Sequence, residues 1–168
     1  IPLAYACDLT RLSCDMATLD AQKIGGVRGA GALCLRVHVK LASVLYGGGQ
    51  ERGLRPGTEA VPAIAAFAEA LREAARNRDA FRARAEEARK RLLERLASAL
   101  PSLRVNESKQ QASHILNVSL PGRDIDYAVI LLDRAGFAVS TKSACETDSD
   151  EGSRAVLALT NDPERAAA

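Results

Sequence analysis

The sequence is poor in the residues that build aromatic cores, disulfide frameworks and metal centres. Among its 168 residues there is no Trp, there are one Met and two His, and aromatic side chains make up 4%, so Ala, Leu and Val must fill the interior. The four cysteines, at positions 7, 14, 34 and 145, form no C-x-x-C pair and no Cys/His cluster with zinc spacing. We therefore predict no metal site, and we expect the first three thiols to be reduced and mostly buried.

Excess charge of one sign and long apolar runs are also missing. The 23 basic and 21 acidic residues leave a formal net charge of +2, which gives no concentrated basic surface for nucleic acid or lipid. No apolar run is long enough to span a membrane, and no basic region precedes an apolar stretch at the N-terminus. We expect a cytoplasmic protein without direct membrane or nucleic-acid binding, and a sequence taken from the middle of a longer one.

The order of the predicted elements indicates an α/β or α+β fold. Two short strands flank the glycine-rich turn that follows Lys23, and a second glycine-rich turn precedes a helix that runs to Leu100. Thr58 is the predicted N-cap of that helix, and a bend is expected at residues 77–79. In the last third we predict strands at 114–120 and 137–140, helices at 124–135 and 152–159, and a polar loop at 141–151.

Two residues of the first half are suited to chemistry. Lys23 lies between a strand end and glycines, where partial removal from water would favour a neutral amine able to attack an aldehyde. Thr58 combines a hydroxyl with the free N–H groups of a helix start, which is a plausible phosphate site. A solvated surface lysine and a simple helix cap are the alternative interpretations. His38 and His114 are isolated and are interpreted as structural or surface residues.

Cys145 lies in a long polar loop of small residues. Such a loop exposes a thiol and lets it move, which suits a nucleophile better than a core residue. Lys142 would favour the thiolate, whereas the three carboxylates that follow the cysteine would oppose it. An exposed cysteine without a function remains the alternative on these grounds.

Four segments, in order, resemble the cysteine desulfurases of the class V aminotransferase-like enzymes. They are residues 23–33, 47–59, 115–119 and 139–145, and the most specific are the Gly-Gly-Gly-Gln-Glu-Arg-Gly…Gly-Thr-Glu block and the Ser-Ala-Cys block. The resemblance implies a fold-type-I, pyridoxal-phosphate-dependent α/β protein. Residues 1–59 would be the end of the large cofactor domain, 60–100 a long connecting helix, and 101–168 an incomplete small α/β domain.

The resemblance also implies roles for individual residues. Lys23 would hold pyridoxal 5'-phosphate covalently and move protons, and Thr58 would bind the cofactor phosphate across the interface of a homodimer. Cys145 would take the sulfur of L-cysteine, leaving L-alanine and a persulfide for a sulfur-acceptor or iron–sulfur scaffold protein. The branch that it resembles serves iron–sulfur cluster assembly or tRNA thiolation.

The chain departs from the family pattern at several positions. Asp20-Ala21-Gln22 stands where the family has Ser-Gly-His, so a carboxylate that repels phosphate unless it points away replaces a hydroxyl, although Gln22 can still donate a hydrogen bond. Lys142 replaces a glycine. The family's acidic and histidine partners of the cofactor ring lie before Ile1, and its substrate-binding arginine lies after Ala168. We therefore expect the isolated chain to be inactive or nearly so.

Two other functions remain open at this stage. One is a different enzyme of the same fold, such as a selenocysteine lyase, an aminotransferase or an epimerase, none of which needs the Ser-Ala-Cys loop. The other is a non-catalytic fragment whose long helix and small domain serve as a docking module.

Overall fold

The computed structural model describes residues 4–6, 8, 10–141 and 152–168. The chain forms two compact units, Ile1–Arg82 and Ala83–Ala168. Helix α1 (Val61–Ala99), with 39 residues, contributes to both units. The predicted long helix is therefore confirmed. The bend expected at 77–79 is wrong, because the helix is unbroken there and contains no glycine or second proline that could interrupt it.

Helix α1 begins two residues later than an N-cap at Thr58 predicts. The Ala60 carbonyl accepts the first helical hydrogen bond, from Ile64 N–H at 3.0 Å. An N-cap at Thr58 would need a hydrogen bond from the N–H of the residue four positions later, which is Pro62, and proline has no N–H. The prediction of Thr58 as N-cap is therefore wrong. The later start places Pro62 in the first turn, where proline is tolerated.

The first unit contains the predicted strand–turn–strand. Strands β1 (Met16–Asp20) and β2 (Gly31–Leu35) pair in antiparallel fashion, with Asp20 opposite Gly31. A short 3-10 helix, Ala21–Ile24, follows β1 directly, and its Ala21 and Ile24 side chains are buried against Phe67 of α1. This small cluster is the core that joins the turn to the helix.

The second unit combines two short strands with three helices. Strands β3 (Arg104–Val105) and β4 (Val118–Ser119) are antiparallel, and α2 (Ile125–Arg134), α3 (Arg154–Thr160) and α4 (Pro163–Ala167) follow. Helix α2 is confirmed, as is a helix in the region of 152–159. Helix α4 was missed, although Asp162 as N-cap and Pro163 in the first turn are helix-start signals present in the sequence.

Two strand predictions in this unit do not hold as made. The segment 114–120 forms a strand only at Val118–Ser119, where β3 supplies a partner. Residues 137–140 form no strand. An alternating pattern becomes a strand only where a second strand satisfies its backbone groups, and none of the described residues pairs with 137–140.

A partly buried polar network attaches α4 to the β3–β4 ribbon. Arg165 donates from Nε to Asn106 Oδ1 at 2.6 Å and from an η nitrogen to the Val105 carbonyl at 2.6 Å. Asn106 Nδ2 donates to Asn117 Oδ1 and to Ser119 Oγ, and the Ser119 hydroxyl donates to the Arg165 carbonyl at 2.6 Å. Because each group in this chain of hydrogen bonds has a partner, its burial is not penalised.

The remaining expectations concern thiols, histidines and membranes. Cys14 and Cys34 are free and half-buried, so they are less buried than expected, and Cys7 lies outside the described residues. His38 is an exposed residue whose Nε2 lies 3.2 Å from an Asp15 carboxylate oxygen. Across the described ranges, no helix is long and apolar enough to cross a membrane.

Candidate functional site

Lys23 lies on the outer side of a turn whose inner side is buried. Ala21 and Ile24 face the core, whereas Gln22 and Lys23 are exposed. In the described part of the chain, no ion pair or hydrogen bond involves the Lys23 side chain. An exposed amine on a turn that is anchored on both sides can react with an aldehyde without rearrangement of the backbone beneath it.

Two hydrogen bonds join Asp20 to Gln22 at the start of this turn. Asp20 is the N-cap of the 3-10 helix, and its Oδ1 accepts a hydrogen bond from Gln22 N–H at 3.1 Å. Its Oδ2 accepts a second one from Gln22 Nε2 at 2.8 Å. The carboxylate is therefore engaged with a peptide and an amide group, and Gln22 keeps a second amide hydrogen that it can donate.

The glycines after Lys23 adapt the turn to helix α1. Gly25 adopts a left-handed conformation, with φ of 82°, that ends the 3-10 helix. Gly26 donates its N–H to the Ala21 carbonyl at 2.8 Å. A Cβ atom at Gly26 would lie 3.0 Å from that carbonyl oxygen and 3.1 Å from Ala70 Cβ. Glycine is therefore needed at position 26 for close packing on the helix.

The second glycine-rich block, residues 47–58, has a defined shape of its own. Glu51, Arg52 and Gly53 have φ of 46°, 60° and 76°, so three successive residues are left-handed, which is costly for the two that are not glycine. The Gln50 side chain holds the block together, because its Oε1 accepts a hydrogen bond from Gly57 N–H at 3.2 Å. No short-range signal in the sequence indicates this role of Gln50, because its partner lies seven residues away.

The predicted site residues fall into three places. Asp20, Gln22 and Lys23 are brought together in one turn, and Thr58 is an exposed residue on the loop before α1. Within the described residues, no hydrogen bond or ion pair joins Thr58 to the Lys23 turn. Cys145 and Lys142 lie outside the described residues. On the C-terminal side of that segment the chain is anchored, since Ser153 N–H donates to the Ala166 carbonyl at 2.7 Å.

The donor set around Lys23 suits an aldehyde cofactor that carries a phosphate. The amine is exposed, Gln22 retains a donor, and Thr58 offers a hydroxyl from the neighbouring block in the sequence. Asp20 does not suit a phosphate as a direct ligand, because like charges repel. Its carboxylate instead accepts a hydrogen bond from the Gln22 side-chain amide. For a metal ion, the described residues offer no group of three or more His, Cys, Asp or Glu side chains.

Comparison with known proteins places these features in a family. Residues 3–166 match the model of the aminotransferase class-V family. A putative cysteine desulfurase IscS 1 of Bacillus subtilis is 33% identical over 153 residues, and cysteine desulfurase IscS 1 of Archaeoglobus fulgidus is 32% identical over 151 residues. In both cases 90% of this chain is covered, and the chain spans about 40% of the length of the relative.

Solved structures agree with the sequence relatives. A protein titled NifS-like protein superposes with a TM-score of 0.82 and 28% identity, over 99% of this chain and 42% of its own chain. DndA from Streptomyces lividans superposes with a TM-score of 0.67 and 35% identity, over 91% of this chain and 44% of its own chain. These likenesses confirm the predicted fold class, an α/β arrangement of fold type I. The chain belongs to the aminotransferase class-V family.

Proposed function

We propose that this chain carries the lysine and the sulfur-accepting cysteine of a cysteine desulfurase that depends on pyridoxal 5'-phosphate. The observation that supports this most directly is the exposed Lys23 on a turn anchored by Ala21, Ile24 and Gly26. The cysteine desulfurase names of the relatives in the two organisms above support the same reaction class. Because the chain spans about 40% of those relatives, the activity belongs to a protein that also contains the remainder of the fold.

Pyridoxal phosphate, when bound, supplies an aldehyde for amine attack and a ring that withdraws electrons from the substrate. Lys23 Nζ would attach the cofactor and then carry protons to and from the substrate carbon. Gln22 would donate its second amide hydrogen toward the cofactor. Asp20 would act as a positioning residue, since its carboxylate holds both the Gln22 peptide N–H and the Gln22 side chain.

Thr58 is the proposed phosphate ligand from the second block. Its hydroxyl is exposed, and the Gln50–Gly57 hydrogen bond restrains the loop immediately before it. In our proposal Thr58 serves the site of a second subunit, so that the complete protein acts as a homodimer. Such an arrangement is in keeping with the lack of a hydrogen bond or ion pair between Thr58 and the Lys23 turn within the described residues.

Cys145 would accept the sulfur atom of L-cysteine, leaving L-alanine and a persulfide on its own thiol. The persulfide would then pass to a sulfur acceptor, such as an iron–sulfur scaffold protein in the cytoplasm. Placement of this cysteine on a long polar segment would allow it to reach first the substrate and then the acceptor.

A trapping experiment tests the cofactor site in the chain as it exists. Pyridoxal phosphate is added, the mixture is reduced with borohydride, and the labelled peptides are identified by mass spectrometry. We expect label at Lys23 in preference to Lys40, Lys90, Lys109 and Lys142, and loss of that label in Lys23→Arg. Equal labelling of all five lysines, with the other four labelled to the same extent in Lys23→Arg, would contradict the proposed site.

A chimera tests the reaction itself. The chain is joined between the N-terminal and C-terminal portions of the Bacillus subtilis relative that it does not match, and L-alanine formation from L-cysteine is measured. We expect turnover in the chimera and loss of it in Lys23→Ala and in Cys145→Ser. The 168-residue chain alone should form essentially no alanine. Turnover that survives Cys145→Ser would favour a selenocysteine lyase, an aminotransferase or an epimerase, and stable partner binding without any labelling of Lys23 would favour a docking fragment.

A further inference from the structure

The side chain of Gln50 closes the second glycine-rich block, residues 47–58, on itself. Its Oε1 accepts a hydrogen bond from Gly57 N–H at 3.2 Å, and the residue is half-buried. Gln50 is also the N-cap of the short 3-10 helix Glu51–Gly53, but its side chain makes no capping hydrogen bond there. An N-cap side chain usually accepts from the N–H groups of the first turn. Gln50 instead reaches past that turn to the far end of the block.

Two glycines make room for this closure. A Cβ atom at Gly48 would lie 3.1 Å from Gln50 Cδ and 3.2 Å from Gln50 Nε2, and a Cβ atom at Gly47 would lie 2.9 Å from Pro56 Cβ. Carbon atoms in good packing contact lie about 3.5–4.0 Å apart. Any larger residue at position 47 or 48 would therefore push the two ends of the block apart.

The closed block holds two residues in a costly conformation. Glu51 and Arg52 have φ of 46° and 60°, in the left-handed region that residues with a Cβ avoid. Such residues persist where surrounding contacts fix them, and they are frequent at ligand-binding sites. The Gln50–Gly57 hydrogen bond spans both of them. The backbone strain indicates that the particular shape of this block matters for function.

We propose that Gln50 is a positioning residue for the Thr58 hydroxyl and hence for phosphate recognition. This inference rests on the proposed role of Thr58 as phosphate ligand. Gly57 directly precedes Thr58 and has φ of 104°, a value that glycine adopts far more readily than other residues. Rotation about Gly57 would turn the Thr58 side chain away, and Gln50 opposes this rotation because it holds the Gly57 N–H. A hydroxyl that is fixed before the ligand arrives binds it without the cost of ordering the loop.

The first test measures the closure in the chain itself. Exchange of the Gly57 amide hydrogen is followed by NMR, with the amides of α1 as an internal reference for folding. Gln50→Leu keeps the bulk of the side chain but has no acceptor, and should speed Gly57 exchange about tenfold. Gln50→Glu keeps an acceptor oxygen and should retain the slow exchange. Gln110→Leu, at an exposed glutamine of the second unit, is the matched control and should change nothing at Gly57. Equal exchange in Gln50→Leu and the parent chain would overturn the proposal.

The second test measures phosphate recognition in the chimera with the Bacillus subtilis relative. Apparent dissociation constants are compared for pyridoxal phosphate and for pyridoxal, which lacks the phosphate. Thr58→Ala should lower the preference for pyridoxal phosphate at least about tenfold, because hydrogen bonds to charged groups are strong. Gln50→Leu should lower the same preference by a similar factor and leave pyridoxal binding unchanged. The double variant should lose little more than either single variant, because both act through the Thr58 hydroxyl.

The outcomes of the second test separate this inference from the proposed function. A preference that falls in Thr58→Ala and not in Gln50→Leu would overturn the positioning role alone. A preference unchanged in both variants would overturn the role of Thr58 and, with it, the inference. Additive losses in the double variant would show that Gln50 acts independently of Thr58. Equal weakening of pyridoxal and pyridoxal phosphate binding by Gln50→Leu would identify a general structural role. Either of these last two results would also contradict the proposal.

Discussion

The turn that carries Lys23 depends on two residues whose roles are structural. Asp20 satisfies a peptide N–H that would otherwise have no partner at the start of the 3-10 helix. Gly26 lets the turn approach Ala70 of α1 more closely than any residue with a Cβ could. Substitution at either position should change the stability of the turn and leave the Lys23 amine intact.

Removal of the Asp20 cap should destabilise the first unit. Asp20→Ala loses both hydrogen bonds to Gln22, and we expect the free energy of unfolding to fall by about 1 kcal/mol. Asp20→Asn retains an N-capping oxygen and should be close to neutral. Urea unfolding of the two variants measures the difference. An equal loss in both would show that the negative charge, and not the cap, matters at this position.

Replacement of Gly26 by alanine should lower the stability of the protein more than the same replacement at Gly49. Gly26→Ala brings Cβ to 3.0 Å from the Ala21 carbonyl oxygen and 3.1 Å from Ala70 Cβ, and such overpacking costs about 1–3 kcal/mol. Gly49→Ala is the control, since nothing lies within 4 Å of the corresponding Cβ and its φ is not positive. Thermal unfolding of both variants tests this. Similar melting temperatures would contradict the packing role.

At the scale of whole elements, α1 is the part that orders the first unit. Its Phe67 is 5% exposed and contacts the two buried residues of the Lys23 turn. Nearby on the same helix, Glu69 and Glu73 form ion pairs with Arg76 at 2.7 Å and 2.9 Å, and Arg72 lies 3.1 Å from Glu69. Helix α1 therefore packs on the Lys23 turn through Phe67 and carries a network of ion pairs within the helix on an exposed side.

Truncation of Phe67 should detach the Lys23 turn from α1. We expect Phe67→Ala to lower the free energy of unfolding by about 3–5 kcal/mol, the range for loss of a buried aromatic ring. Hydrogen exchange of the Ala21 and Ile24 amides should become faster in the same variant. Val61→Ala, at a position that is 65% exposed, is the control and should change neither measurement appreciably.

The ion-pair network should make a small contribution that depends on pH. Hydrogen bonds from Arg76 hold the pKa values of Glu69 and Glu73 below the ordinary 4.5. A carboxyl whose pKa is lower in the folded state stabilises that state above its unfolded pKa, and the contribution is lost as the pH falls through the folded value. The difference in melting temperature between the parent chain and Arg76→Gln should therefore be greatest at neutral pH and shrink below pH 4.5.

Arg84→Gln provides the control for this titration. Arg84 is an exposed arginine of the same helix, and its substitution removes the same charge without removing the hydrogen bonds to Glu69 and Glu73. Its effect on melting temperature should vary little between pH 7 and pH 3. If the effect of Arg84→Gln on melting temperature shrank at low pH as that of Arg76→Gln should, the loss of net charge, and not the loss of hydrogen bonds, would explain both.

At the scale of the whole molecule, much apolar surface is uncovered. In the segment 37–46, Val44 and Tyr46 are 88% and 89% exposed, and Val37 is fully exposed. The chain also spans about 40% of its curated relatives. Exposed apolar surface of this kind marks interfaces with other parts of a protein or with other chains.

We therefore expect the isolated chain to self-associate through this segment. Light scattering coupled to size exclusion should show a mass that rises with concentration, and the double variant Val44→Ser with Tyr46→Ser should shift it toward the monomer. Ile130→Ser, which removes an exposed apolar side chain from the second unit, is the control. A monomer at all concentrations, in the parent chain and in both variants, would contradict the expectation.

Short-range signals in the sequence were sufficient to predict the hairpin around Lys23, helix α1, helix α2 and the resemblance to the family. These features depend on residues within a few positions of one another, such as the Asp124 side chain that caps α2 by accepting from Tyr127 N–H. The same signals favour Thr58 as the N-cap of α1, although Pro62 has no N–H with which to bond the Thr58 carbonyl.

Contacts between distant residues determined the rest. Gly26 meets Ala70, Gln50 closes the loop at Gly57, and Arg165 reaches Asn106 across 59 positions. Residues 137–140 form no strand because no described strand pairs with them, whereas α4 packs on β4 because hydrogen bonds join the two. Backbone and polar groups need partners whose distance in space cannot be read from their separation in the chain. The sequence predicted Lys23 as the reactive residue, and the fold showed what holds its turn in place.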